Sequence, residues 1–174
     1  VYPFGNYSGE ILLNDTLQKF GNITDSEKQG IAIIAQELAL VPEMTVAENI
    51  FLGKEIKSHG IINHYETIKQ SQTWLQKLNV EISPRTLVKD LGIGHQQLVE
   101  IAKALSKNAT LLILDEPTAA LTEKESEQLL SILLDLKSHG ITSIIISHKL
   151  KEVLKVADNI TVLRDGTSVC TLSR

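Results

Sequence analysis

A chain of 174 residues, with 17 Lys and Arg against 21 Asp and Glu for a net charge of −4, is long enough for one domain with a real core. The acidic balance and an aromatic content of only 4% weigh against a basic, base-stacking nucleic-acid surface. Cys170 is the single cysteine and closes no internal disulfide, no CxxC pair exists for zinc, and no apolar run nears the ~20 residues of a spanning helix.

The opening VYPFGNYSGE has neither an initiator Met nor a signal pattern, which predicts a piece of a longer protein. EILL at 10–13, followed by Asn14-Asp15, predicts a short strand and turn. Thr24 with Glu27 predicts a capping box that opens a brief helix, stopped by Gly30. IAIIA at 31–35 is continuous and rich in isoleucine, which predicts a strand covered on both faces and ending at Gln36. Thr45 and Glu48 form a second box, before a helix that Gly53 stops. Tyr65, Ile68, Leu75 and Leu78 line one face of a longer helix, and Leu98, Ile101, Ala102 and Leu105 stripe the helix after the loop LGIGH, 91–95.

A regular rhythm follows. Strand TLLIL (110–114) leads to a helix with Leu129, Ile132, Leu133 and Leu136 on one side. Strand TSIIIS (142–147) leads to a helix striped by Leu150, Val153, Leu154 and Ala157. NITVL then meets an Asp165-Gly166 hairpin turn, and TSVCTL returns. This alternation predicts an α/β fold, a mainly parallel sheet flanked by helices, in one domain or part of one, without repeats or linkers.

Ligands of open parallel sheets bind beyond the carboxyl ends of the strands. Three predicted strands end there in polar groups: Gln36, the adjacent acids Asp115 and Glu116, and Ser147-His148. Each alone reads equally well as a cap or a turn; together they suit phosphoanhydride hydrolysis. Asp115 is placed to hold Mg2+, which prefers one or two carboxylates plus water and phosphate. Glu116 is placed as the base for the attacking water, and Gln36 to orient that water or ligate the metal. His148 is placed to bond a γ-phosphate, while Pro117 turns the chain off the strand. Gly92 and Gly94, before a helix, would let backbone N–H groups approach a phosphate, although glycine turns before helices are common. Blander readings suit the rest: His59, His64 and His139 at the surface, Trp74, Tyr2, Phe4 and Tyr7 in packing, and TEKESE (122–127) as a solvated helix start.

The order of these features resembles ABC-type ATPases over nearly the whole length. The resemblance implies an ABC ATP-binding domain, part of the P-loop class, with a helical and signature region at about 37–107 inserted in the α/β core. It makes Gln36 the Q-loop residue, Leu91 to His95 the signature loop, with Gly92, Gly94 and His95 facing nucleotide. Asp115 and Glu116 close the Walker B strand, Ala119 to Thr122 form the D-loop, and His148 is the switch histidine. QELALVPEMTVAENIFLG, QQLVEIAKAL, LDEPTAALT and ISHKLKEV resemble the ATPases of bacterial monosaccharide importers, the ribose, galactose and xylose group. The opening VYPFGNYSGEI is most like the xylose type.

That resemblance implies ATP and Mg2+ as cofactors and a peripheral position on the cytoplasmic face of the bacterial inner membrane. Implied partners are a second ATP-binding module, a sugar permease docked on the region after Gln36, and indirectly a periplasmic sugar-binding protein, with no nucleic acid. No G-x-x-x-x-G-K-[ST] occurs, so the phosphate-cradling loop is expected before Val1 and the isolated piece is expected to be inactive. Gly92, Ile93 and His95 stand where the family's LSGGQ pattern has Ser, Gly and Gln, and Thr122 stands where an Asp is usual. A non-transport ABC ATPase and an inert interaction module are the competing readings.

Overall fold

A computed structural model describes residues 5–173. The chain opens with a hairpin, β1 (Ile11–Leu13) against β2 (Thr16–Gln18), joined by Asn14 and Asp15 at φ 50° and 58°. Two successive left-handed residues are what a two-residue hairpin turn needs, and Asn and Asp tolerate them best. Helix α1 (Ile23–Lys28) follows. Its cap is Asn22, whose side chain accepts from the Asp25 N–H, while the Asp25 carboxylate accepts from the Gly21 N–H. The expected Thr24–Glu27 box is thus displaced: an Asn two positions earlier caps the end first, and Thr24 lies inside the helix.

Strand β3 (Ile31–Ile34), helix α2 (Val46–Ile50), the small hairpin β4 (Lys57–Ser58) and β5 (Ile61–Ile62), and helix α3 (His64–Lys77) come next. A 3-10 turn at Val88–Asp90 precedes α4 (Ile93–Ser106) and strand β6 (Leu111–Asp115). Helix α5 (Glu123–Ser138), strand β7 (Thr142–Ile146), helix α6 (Leu150–Val156) and the hairpin β8 (Asn159–Arg164) and β9 (Thr167–Ser173) complete the chain. Among the described residues the parallel sheet has three strands in the order β3-β6-β7, in register Ile34 to Leu114 to Ile145. The other three sheets are isolated antiparallel pairs.

Gly30 sets the entry to this sheet. It lies at φ +77° with its would-be Cβ 2.7 Å from the Thr110 hydroxyl, and its carbonyl accepts from both Thr110 and Leu111 N–H groups. Any other residue there would clash and strain at once, so the glycine holds the start of β3 against the start of β6.

The core lies on one face of the sheet. Leu112 and Leu114 are fully buried with Ile34 beneath α4 and α5, and each leucine contributes about 2 kcal/mol by removal from water. The opposite face carries Ile33, Ile144 and Ile146, each about half exposed. The expectation that these strands are covered on both faces is therefore corrected: no described element lies over the second face.

Helix α4 buries Leu98, Ile101, Ala102 and Leu105 as the stripe predicts, and α5 buries Leu129, Ile132, Leu133 and Leu136. On α3 the buried face is Thr67, Ser71, Leu75 and Leu78, whereas Tyr65 is 76% exposed. The Thr67 and Ser71 hydroxyls donate to the carbonyls one turn back, Asn63 and Thr67, so polar residues occupy an apolar face without loss. On α6 the stripe also differs, for Val156 is buried while Leu150 and Leu154 are exposed. Short and docked through Val153 and Val156 near Leu130, this helix turns its leucines outward. Trp74 packs on the core with Lys77 Nζ 4.2 Å from its ring centre, and His59, His64 and His139 are exposed. Tyr7 is half-buried, and Tyr2 and Phe4 lie outside the described residues.

Candidate functional site

Parallel pairing sends β3, β6 and β7 out of the sheet at one edge, so Gln36, Asp115-Glu116 and Ser147-His148 leave neighbouring strands at the same end. The Glu116 N–H donates to the Ile146 carbonyl at 2.9 Å, extending the ladder one residue beyond β6. The chain then breaks sharply. Glu116 sits at φ 46°, a left-handed conformation that costs a non-glycine residue roughly 1–2 kcal/mol. Buried Pro117 follows, and the Ala119 N–H closes the turn on the Glu116 carbonyl.

This turn aims the Glu116 side chain at His148, whose Nδ1 lies 2.8 Å from Oε1. The carboxylate side chain is only 20% exposed and its second oxygen, Oε2, is buried with no partner, while His148 is 74% exposed. A buried carboxylate oxygen left without a hydrogen bond is costly, so this position of the Glu116 side chain is maintained against a penalty. Asp115 is half-buried on the sheet face that also carries Ile113, and Gln36 is exposed one strand over. Among the described residues no cluster of three His, Cys, Asp or Glu side chains could enclose a metal. One carboxylate and one amide at adjacent strand ends fit Mg2+, which completes its shell with water and phosphate, and do not fit a structural zinc.

Sequence reasoning missed the network below this pair. Thr118, 2% exposed, donates its hydroxyl to Glu152 Oε2. Lys149 Nζ donates to the Thr118 carbonyl at 2.6 Å and lies 3.4 Å from Glu152 Oε1. A Lys–Glu spacing of three beside His148 was the available signal, but it reads equally well as an ordinary helix-surface pair.

The glycine loop divides in two. Gly92 is the exposed N-cap residue of α4, whereas Gly94 and His95 already lie in its first turn. Gly94 is buried, and its would-be Cβ stands 2.6 Å from Glu125 Oε1. Glu125 belongs to the capping box of α5, where its Oε2 accepts from the Thr122 hydroxyl and N–H; those bonds, the hydroxyl's first, hold its carboxyl below the usual glutamate range. The contact the structure shows for Gly94 is thus close packing on the helix that follows 119–122, while His95 is exposed. The site residues therefore fall into a paired centre, Glu116 with His148, and a helix start at 92–95 braced by α5.

The segment between Gln36 and α2 is tightly organised by Asn49, which is fully buried. Its Oδ1 accepts from the Val41 N–H at 2.8 Å, and its amide donates to the Val41, Met44 and Thr45 carbonyls. Lys103 of α4 reaches the Ala39 carbonyl at 2.8 Å and pairs with buried Glu100. The loop after Gln36 is thereby tied to α2 and to the helix that begins at the glycines.

A family model described as ABC transporter matches residues 3–119. The chain is 60% identical over 172 residues to the L-arabinose transport ATP-binding protein AraG of Geobacillus stearothermophilus, covering 99% of this chain and 34% of that protein. It is 59% identical over 174 residues to the xylose import ATP-binding protein XylG of Moorella thermoacetica, covering 100% of this chain and 34% of that one. The chain thus spans about a third of the length of these curated relatives. Among solved structures, the ADP conformation of the cassette MJ1267 aligns with a TM-score of 0.83 at 24% identity, over 96% of this chain and 70% of that one. A dimeric post-hydrolysis cassette, MJ0796 bound to ADP and Pi, aligns at 0.77 and 24%, over 95% and 73%. These two share the fold.

Proposed function

The chain belongs to the ABC transporter family, and from that premise we propose that it serves as the ATP-hydrolysing, energy-coupling part of a bacterial monosaccharide importer of the xylose or arabinose kind. The relatives' names support the sugar class, and the activity is proposed for the longer polypeptide, the 174-residue piece alone being inactive. The observation that carries the catalytic reading is the pairing of a strained, half-buried Glu116, with one orphaned oxygen, to the exposed His148.

Glu116 is the general base. Its carboxylate accepts a hydrogen bond from the attacking water and takes its proton as the water oxygen bonds to the γ-phosphorus and the bond to the β–γ bridging oxygen breaks, releasing ADP. His148, fixed through Nδ1, presents its remaining ring nitrogen to the γ-phosphate and keeps the water and phosphoryl group in line. Asp115 and Gln36 would hold Mg2+, which supplies charge neutralisation on the phosphates when bound.

Residues 92–95 at the start of α4 face the nucleotide of a second ATP-binding module, Gly92, Gly94 and His95 among them, so ATP bridges two modules and favours their closed pair. The region of about 37–107 acts as the helical and signature subdomain. Its loop after Gln36, tied to α4 by Lys103, passes force to a membrane-spanning permease, with a periplasmic sugar-binding protein acting at a distance. The polypeptide sits peripherally on the cytoplasmic face of the inner membrane; among the described residues no helix is long and apolar enough to cross it.

The test compares the full-length polypeptide with its Glu116→Gln variant. Turnover of Mg-ATP falls at least about 100-fold in the variant, as expected for loss of a general base, while an ATP-bound dimer persists in gel filtration. Unchanged turnover would leave the acids at the end of β6 structural and sink the reading.

A further inference from the structure

The pair Glu116–His148 has one direct contact, and an exposed histidine is poorly held by a single hydrogen bond, because one such bond contributes little net free energy against side-chain entropy. Something else has to hold His148 at that distance. Lys149, the next residue, does so through three bonds. Its N–H donates to the Ser147 hydroxyl at 3.0 Å, its Nζ donates to the Thr118 carbonyl at 2.6 Å, and the same Nζ faces Glu152 at 3.4 Å. Glu152 is in turn bonded by the buried Thr118 hydroxyl, so both ends of the lysine's bridge are anchored in the turn that begins at Glu116.

Residues 116–118 and 148–149 therefore close a ring. One side is the backbone turn after β6, the other the turn after β7, and the rungs are Glu116–His148 and Thr118–Lys149. Two rungs fix a relative orientation that one rung leaves free to swing. We propose that Lys149 is a positioning residue for hydrolysis: by clamping the His148 turn to the Thr118 carbonyl, it keeps the imidazole against the Glu116 carboxylate. Glu152 serves the lysine by holding its ammonium over the turn, and Thr118 serves both through its carbonyl and its hydroxyl.

A lysine that only braces α6 would affect melting, not the geometry of His148. The distinction is chemical as well as structural. Arg at 149 keeps a cation and several donors that reach the same carbonyl and carboxylate, whereas Met keeps the length and the apolar stem without the charge.

The inference rests on the ATPase reading for the meaning of turnover, but its geometric part does not. The experiment uses the full-length polypeptide with Lys149→Met, Lys149→Arg and Glu116→Ala. In nucleotide-free protein, the 15N shift of His148 Nδ1 in Lys149→Met moves to the value seen in Glu116→Ala, where the partner is gone, and Lys149→Arg stays near wild type. With Mg-ATP, Lys149→Met lowers kcat about tenfold or more while KM changes less than about twofold, as misplacement of a positioned group does, and Lys149→Arg recovers most of it. An unmoved Nδ1 shift in Lys149→Met overturns the proposal, as does a loss of turnover that Arg fails to rescue. Should Lys149→Met not fold, Lys149→Gln carries the same readings, and failure of both to fold marks the lysine as a structural brace and overturns the proposal too. If instead Glu116→Gln keeps turnover while the Nδ1 shift responds to Lys149, the ATPase reading fails and the clamp survives.

Discussion

Glu116 combines two unfavourable features at one position: a left-handed backbone and a buried carboxylate oxygen without a partner. Strain of this kind persists where the surrounding structure over-determines it and where function uses it. Removing both should therefore stabilise the chain at the expense of its chemistry. Glu116→Gly is expected to raise the unfolding free energy by about 1 kcal/mol, the sum of relieved φ strain and desolvation less the lost His148 contact and the added chain entropy. Urea unfolding of the 174-residue chain checks it, and a destabilised variant would mean that the turn needs the carboxylate. That adjacent acids end an apolar strand was legible in the sequence. Which of the two bends out of the strand was not, since φ at Glu116 follows from the Ile146 ladder bond and the turn closed by Ala119.

Among the elements, helix ends were the most readable feature, because capping is a local competition among neighbouring side chains. Thr45–Glu48 forms the reciprocal box that its spacing predicts, and Thr122–Glu125 forms another where only a solvated start was expected. At α1 the same pattern misled, since Asn22 wins the cap from Thr24. The Thr45 hydroxyl, with its N–H, holds the Glu48 carboxyl below the usual glutamate range. A lowered folded value means that the charged form stabilises the fold. Its contribution is complete above the ordinary glutamate range and is lost as pH falls through the lower folded value. Thr45→Val is expected to cost about 1 kcal/mol at neutral pH, with the difference from wild type shrinking in acid below that range. Denaturation melts at a series of pH values test this, and a pH-independent gap would assign the loss to the backbone cap bond and packing rather than to the Glu48 carboxylate. Apolar stripes predicted the faces of α4 and α5 well and those of α3 and α6 only in part: Leu75, Leu78 and Val153 lie inward as expected, but Tyr65, Leu150 and Leu154 are exposed while Thr67, Ser71 and Val156 are buried.

For the molecule as a whole, the sheet is lopsided. Its buried face supports the core, and its other face leaves Ile33 of β3 and Ile144 and Ile146 of β7 half exposed, with half-buried Ile113 of β6 between Ile33 and Ile144. Such a face favours self-association. Ile144→Thr keeps a β-branched residue on β7, so unfolding free energy should change by no more than about 0.5 kcal/mol while the solubility limit of the 174-residue chain rises. Light scattering against concentration decides it, and an unchanged onset of association would place the sticky surface elsewhere.

The amino-acid sequence by itself determined the alternating α/β order, the stripes of α4 and α5, the hairpin turns at Asn14-Asp15 and Asp165-Gly166, and the set of polar groups at three strand ends. All of these follow from side-chain period or from turn chemistry within a few residues of one position. Only the tertiary structure decided that His148 meets Glu116, that Lys149 bridges to Thr118, that Gly94 is packed against Glu125, and that one sheet face stays open. The first three are contacts between segments far apart in the chain, and the fourth depends on which elements pack over the sheet. Local propensity carries no information about which distant groups a shared sheet edge brings within bonding distance.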